Sequence, residues 1–256
     1  MKHLFTPEGQ AALAATMRLR PLLAFDFDGT LAPIVSHPDH ARIRPDVAAR
    51  LRSLAERLPV AVVTGRSVAD VRGRLDFEPR VIVGSHGAED GGNAAETAHR
   101  RRCLDPLRQR LAARRAELAA LGIFVEDKGL SIALHYRQAR LRSRALLVIR
   151  ELLAPADESL RVFSGKMVEN AVAADSPDKA GAVLSLVARL GARSVVFAGD
   201  DVNDEPVFAA APPGWLTVRI GRDVEGSAAR FFLDNPAQVA TWLQRMLDLS
   251  TVDERR

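Results

Sequence analysis

Apolar positions along this chain follow two rhythms. Short unbroken runs, Leu22-Leu23-Ala24-Phe25, Val60-Ala61-Val62-Val63 and Val195-Val196-Phe197-Ala198, have the length and side-chain types of strands buried on both faces. With two similar runs they predict strands near 22–26, 60–64, 81–84, 194–198 and 216–220. Between them the apolar spacing lengthens to three or four residues, which predicts helices near 45–58, 67–75, 178–190, 204–211 and 236–247. Such alternation argues for an α/β core with a doubly wound parallel sheet covered on both faces.

The rhythm changes between Gly84 and Asp178. A long Arg/Ala/Leu helix over 105–121 is followed by Ile123-Phe124-Val125, by the apolar run from Leu130 to Tyr136, by a second helix near 139–153, and by Arg161-Val162-Phe163 with Met167-Val168. Strands and helices lodged between two halves of the first pattern read as an inserted α+β domain. The expected division is 1–88 for the first part of the core, 89–172 for the insert and 173–256 for the second part of the core.

Candidate chemistry sits where the apolar runs end. Asp26-Phe27-Asp28-Gly29-Thr30 places two carboxylates at i and i+2, which presents them together on one face at the strand's C-terminal end, where open α/β sheets put ligands. Two like charges so close need a cation or a shared proton to offset them. A plainer reading, an Asp-rich turn bonding its own backbone, fits any isolated Asp-x-Asp-Gly. Here the pair has company: Thr64-Gly65-Arg66 after the second run, Asp178-Lys179 opening an Ala/Leu/Val helix, and Gly199-Asp200-Asp201-Val202-Asn203-Asp204 after the fourth.

With these four segments in this order, the chain resembles the haloacid dehalogenase-like phosphohydrolases. The resemblance implies a Rossmann-like haloacid-dehalogenase core and a Mg²⁺-dependent phosphatase. Asp26 would attack phosphorus and form an aspartyl-phosphate, and Asp28 would protonate the leaving alkoxide and then deprotonate water. Thr64, backbone N–H groups beside Gly65, and Lys179 would bind the phosphoryl oxygens. Asp26, the backbone carbonyl of Asp28 and Asp200 would hold Mg²⁺, with Asp204 orienting from behind. The resemblance favours Asp200 as the direct ligand, and the residues alone leave Asp201 open.

Three further segments resemble the trehalose-6-phosphate phosphatase branch: Gly84-Ser85-His86-Gly87-Ala88-Glu89, the stretch from Gly122 through Glu126, Lys128, Ser131 and His135 to Arg137, and Gly165-Lys166 with Glu169. In that branch the insert is a cap that closes over the site and selects the substrate, a phosphorylated disaccharide. His86, Glu126, Lys128, Ser131, His135, Lys166 and Glu169 would grip the sugar, whose hydroxyls need paired donors and acceptors. Plainer readings are a structural histidine at 135 and an exposed cross-strand pair at 126 and 128. The chain departs from the pattern at Ala180, Asn203 and Asn170-Ala171-Val172. A phosphatase of another phosphorylated sugar, such as sucrose 6-phosphate or a mannosyl-phosphoglycerate, a phosphomutase, and an idle sugar-phosphate sensor are the competing readings.

Composition narrows the field. The 256 residues are 47% hydrophobic and 27% charged, as in an ordinary soluble protein. The net charge is +4, and no aromatic-interleaved basic patch points to nucleic acid. Of 36 basic residues only Lys2, Lys128, Lys166 and Lys179 are lysines, so lysine marks places where a compact point charge is wanted. Cys103 is the single cysteine, which leaves no internal disulfide. Thr6-Pro7-Glu8 reads as a helix cap following directly on the N-terminus, and no run approaches a membrane span. The expectation is a cytoplasmic enzyme with no membrane or nucleic-acid partner and a monomer as the simplest state.

Overall fold

Every residue of Leu22–Phe25 and of Val60–Val63 is buried, so each run offers alternate side chains to two apolar layers instead of one face to water. A computed structural model describes residues 1–35, 38–89, 94–154, 158–165, 167–222 and 226–252. They form two compact units, Met1–Gly87 with Asp178–Arg256, and Ala88–Pro177. In chain order the first part holds β1 (Lys2–His3), α1 (Pro7–Met17), β2 (Leu22–Phe25), α2 (Pro45–Ala55), β3 (Val60–Val63), α3 (Val68–Arg72) and β4 (Val81–Val83). The second unit holds α4 (Ala94–Cys103), α5 (Asp105–Ala113), α6 (Arg115–Ala120), β5 (Phe124–Asp127), β6 (Ser131–His135), α7 (Arg142–Leu153), β7 (Leu160–Gly165) and β8 (Val168–Ala173). The chain then returns through α8 (Lys179–Leu190), β9 (Val195–Gly199), α9 (Glu205–Ala210), β10 (Leu216–Ile220), β11 (Phe231–Leu233) and α10 (Val239–Val252).

The first unit is a parallel sheet in the order β1-β11-β10-β9-β2-β3-β4. Leu23, Phe25, Val60 and Val62 face Leu51 and Leu54 of α2 and Trp242 and Met246 of α10. Leu22, Ala24, Ala61 and Val63 face Val183 and Leu186 of α8 and Phe208 of α9. Each such burial contributes ~1.5–3 kcal/mol, so the three central strands are the most firmly fixed part of the molecule. From β2 the chain builds outward through β3 and β4 on one side, and on its return through β9, β10 and β11 on the other. The switch point lies between β2 and β9, where crevices open at the C-terminal ends of the strands.

The second unit is an antiparallel sheet ordered β5-β6-β8-β7. Ile132, Leu134 and Ala171 pack against Leu107, Leu118, Ile149 and Leu152 of α5, α6 and α7. Parallel core sheet and separate antiparallel sheet agree with the α/β core and α+β insert read from the sequence.

Differences have local causes. The helix expected over 105–121 is two, parted at Arg114, whose backbone (φ −109°, ψ 17°) leaves the helical region. Helix α4 was not expected: none of its residues is buried, so it has no apolar stripe for periodicity to detect. The strands β1 and β11 were also missed, being two and three residues long. The cap at Thr6 is present, its side chain accepting from the Gly9 N–H, but a short edge strand precedes it. Among the described residues no helix is long and apolar enough to cross a membrane.

Candidate active site

Strand β2 stops at Phe25, so Asp26 and Asp28 fall in the turn that follows it. The Asp26 N–H still donates to the Ala198 carbonyl of β9 (2.9 Å), which carries the strand pairing one residue further and fixes Asp26 beside the next strand's end. The turn closes through Gly29, at φ +80°, whose N–H donates to the Ala32 carbonyl (2.8 Å).

Two glycines make room for acids. A Cβ at Gly29 would stand 2.3 Å from the Asp200 carboxylate carbon, and one at Gly199 would stand 2.2 Å from that of Asp204. Asp204 is held further by the Asp201 N–H, which donates to its Oδ2 (2.9 Å). Asp178 caps α8 by accepting from the Gly181 N–H (2.7 Å), which sets Lys179 in the first helical turn. From there the Lys179 Nζ donates to Asp26 Oδ1 (2.8 Å) and Asp204 Oδ1 (2.7 Å).

Carboxylate oxygens of Asp26, Asp200 and Asp204 lie within 4.8 Å of one another, and all three residues are buried. Burial, reinforced by Asp204 and Asp200, pushes the Asp26 carboxyl well above the usual carboxylate range, although Lys179 pulls the other way. Burial also opposes the Lys179 charge, but Asp204 and Asp26 outweigh it and hold the ammonium above the usual lysine range. Three buried carboxylates thus gather beside the Lys179 ammonium. A preformed, oxygen-rich cluster of this kind fits a hard divalent cation such as Mg²⁺.

Asp28 is not one of the three clustered acids. Arg66 grips it, with Nε donating to Oδ2 (2.7 Å) and Nη2 to Oδ1 (2.8 Å). Arg66 also donates to Asp70 (2.8 Å), which Arg74 grips in turn (2.9 Å), and its guanidinium lies 5.4 Å from the Phe27 ring centre. Arg66 was quoted in the sequence without a role. The signal was available in the basic-acidic-basic spacing, four residues apart, of Arg66, Asp70 and Arg74, the two arginines bracketing the short helix α3.

Arg219 was missed altogether. It lies in the wholly buried strand β10, where its Nη2 donates to the Asp200 carbonyl (2.8 Å) and its Nη1 to Glu205. The other Glu205 oxygen accepts from the Ala228 N–H (3.0 Å). An arginine inside the apolar run Leu216-Thr217-Val218-Arg219-Ile220 is costly unless fully engaged, which is the sequence clue that it braces something.

Thr64, the residue after β3, is fully buried, and its Oγ1 accepts from the Arg66 N–H (3.1 Å). Gly65 lies against the imidazole of His86. In the second unit Glu126, Lys128 and His135 come together: His135 Nε2 lies 2.9 Å and Lys128 Nζ 3.4 Å from Glu126 Oε2. Burial works against the Glu126 charge, but His135 and Lys128 prevail and hold it below the usual carboxylate range. Strand register puts Ser131 on the same sheet face, since Ser131, Ala133 and His135 alternate there and Ala133 pairs with Glu126. Glu169 pairs with Leu134 and therefore belongs to the opposite face, where the Ser164 hydroxyl bonds both its oxygens (2.9 and 2.8 Å). Polar residues interleaved with strand apolars suggest a single sugar-binding face of the cap; Glu126, Lys128, Ser131 and His135 share such a face, and Glu169 does not. Lys166 lies outside the described residues.

Known proteins share this fold. The C-terminal domain of a Candida albicans trehalose-6-phosphate phosphatase superposes with a TM-score of 0.76 at 20% identity, covering 94% of this chain and 96% of that one. A haloacid dehalogenase-like hydrolase from B. subtilis gives 0.60 at 16% identity, over 88% and 99%. These likenesses show that the chain has the fold of those proteins, the haloacid dehalogenase-like fold. In sequence, trehalose-phosphate phosphatases of Mycobacterium tuberculosis and Mycolicibacterium paratuberculosis are each 33% identical over 89% of this chain. The chain spans about three-fifths of those relatives, 61% and 62% of their lengths. The family model for trehalose-phosphatase matches residues 24–235, a span that begins just before Asp26 and takes in Thr64, Lys179, Asp200 and Asp204. By that match the chain belongs to the trehalose-phosphatase family.

Proposed function

We propose that this chain is a Mg²⁺-dependent phosphatase that hydrolyses trehalose 6-phosphate to trehalose and inorganic phosphate. The observation that carries the reading is the buried Asp26–Lys179–Asp204 bridge with the Asp200 carboxylate beside it, three acids gathered at the ends of neighbouring strands. Asp26, the Asp28 backbone carbonyl and Asp200 would hold Mg²⁺, with Asp204 behind them. When bound, that ion offsets the negative charge of the carboxylates and of the transferring phosphoryl group.

In the first step an Asp26 oxygen forms a bond to phosphorus while the bond to the sugar oxygen breaks. Asp28 supplies the proton that the leaving alkoxide takes. In the second step Asp28 removes a proton from water, whose oxygen attacks phosphorus, and the Asp26–phosphorus bond breaks to free phosphate. Thr64, Gly65 and Lys179 hold the equatorial oxygens throughout. The Arg66 grip orients the ionised Asp28 carboxylate, the form that removes the proton from water. The segment 89–172 is proposed as the cap, with Glu126, Lys128, Ser131 and His135 gripping the sugar. Lys166 and Glu169 belong to the same proposal on the resemblance alone.

Phosphate release with Mg²⁺ from trehalose 6-phosphate, sucrose 6-phosphate, glucose 6-phosphate and an aryl phosphate, against an EDTA control, tests it. A preference for trehalose 6-phosphate of about 10²-fold in kcat/KM, roughly 2.7 kcal/mol, is expected. Preference for another sugar would discard the cap reading and keep the hydrolase. Absence of metal-dependent release from all four would discard both.

A further inference from the structure

Three consecutive residues after β4 have left-handed backbone: Ser85 at φ +51°, His86 at +59° and Gly87 at +114°. Only the last is glycine, and two L-residues in a row hold this conformation only where their surroundings impose it. The surroundings are the loop after β3. The Ser85 N–H donates to the Arg66 carbonyl (2.7 Å) and the His86 N–H to the Thr64 carbonyl (2.9 Å), while the Thr64 N–H donates to the Val83 carbonyl (2.8 Å).

The turn delivers the His86 imidazole onto Gly65. A Cβ at Gly65 would lie 2.4 Å from the ring's Cε1 and 2.6 Å from its Nε2, so the ring fills the space a side chain would need. The backbone at Gly65 is not left-handed, so its φ does not demand glycine. The neighbouring ring does. Thr64 Oγ1 meanwhile accepts from the Arg66 N–H, which leaves the hydroxyl hydrogen to donate elsewhere.

We propose that His86 is a positioning residue for the phosphate-holding loop Thr64-Gly65-Arg66, and not a sugar contact. Its ring presses on Gly65, its own N–H holds the Thr64 carbonyl, and together they present the Thr64 hydroxyl to a phosphoryl oxygen. The proposal rests on the phosphatase reading and makes a demand that reading does not: loss of the ring harms every phosphate ester equally, whatever alcohol it carries.

His86→Asn is the probe, because asparagine adopts left-handed backbone more readily than other side-chain-bearing residues while removing the ring. The expected result is a fall of about 10- to 100-fold in kcat/KM, equal for trehalose 6-phosphate and for an aryl phosphate, with a matching rise in the inhibition constant of inorganic phosphate. A loss confined to trehalose 6-phosphate would overturn the proposal and return His86 to the sugar, and so would no loss at all. Should the wild-type enzyme turn over neither ester, the phosphatase reading falls separately. Calorimetric binding of inorganic phosphate then decides for His86, with equal affinity of wild type and variant overturning the proposal. If His86→Asn fails to fold, Gly65→Ala replaces it, because its methyl group would displace the ring: kcat/KM should fall equally for both esters with weaker phosphate inhibition, and an unchanged inhibition constant would overturn the assignment.

Discussion

Lys179→Met removes one positive charge and almost no volume from the most crowded part of the molecule. The ammonium bridges Asp26 and Asp204, and the three side chains are 4%, 7% and 0% exposed, so water cannot replace it. Removing one partner of a buried ion pair costs ~3–5 kcal/mol, mostly through the charge left behind. For a chain of this size each kcal/mol lowers Tm by about 2–4 °C, so a drop of roughly 6–20 °C follows. The assay is thermal unfolding in EDTA, followed by circular dichroism. Two internal checks accompany it. Adding Mg²⁺ should return part of the loss, and so should Asp26→Asn in the same chain, which takes away one of the stranded carboxylates. A Tm within about 2 °C of wild type would refute the reasoning, because it would mean that the carboxylates are solvated or protonated and never needed the lysine.

Two predictions concern the neighbours of this bridge. Replacing Arg219 by Met together with Glu205 by Gln leaves the local net charge unchanged but removes the brace on the Asp200 carbonyl. Calorimetric Mn²⁺ affinity should fall about tenfold, and unchanged affinity would show that Arg219 does not position the loop. In EDTA, Asp26→Asn should gain stability relative to wild type as pH rises. The carboxyl is held above its ordinary value of 3.8, so its contribution is complete below that pH and is lost as pH climbs through the folded-state value. Parallel curves of Tm against pH would count against a displaced Asp26.

How far the sequence reached depended on whether the information was local. Central strands such as Val60–Val63 were legible because both faces are buried and the run has no polar interruption. The pair of glycines beside the acids stood in the quoted segments, yet their function required knowing that Asp200 lies over Gly29 across two strands. The Arg66 grip on Asp28 joins residues 38 positions apart and could not be read from either segment alone. The single-face reading of the cap residues failed at Glu169 for a related reason: strand parity depends on register, and a shift of one residue moves a side chain to the other face. Helix α4 was invisible because every residue of it that might have shown a stripe is at least partly exposed.

The pairing of β2 with β9 gives the acidic cluster its dimensions. Asp26 and Asp200 each continue a strand, the two strands are neighbours, and Phe25 stands opposite Ala198. Parallel neighbours run about 4.8 Å apart because their hydrogen bonds admit no other spacing. The sheet is therefore a ruler for the two backbones that carry the carboxylates: by that register Asp26 stands level with Gly199, and Asp200 follows one residue beyond. A substitution among the surrounding apolar residues can loosen the layers above and below without changing that register. Only a slip of one whole strand against the other could do so, and such a slip would turn every buried side chain of β2 to the wrong layer.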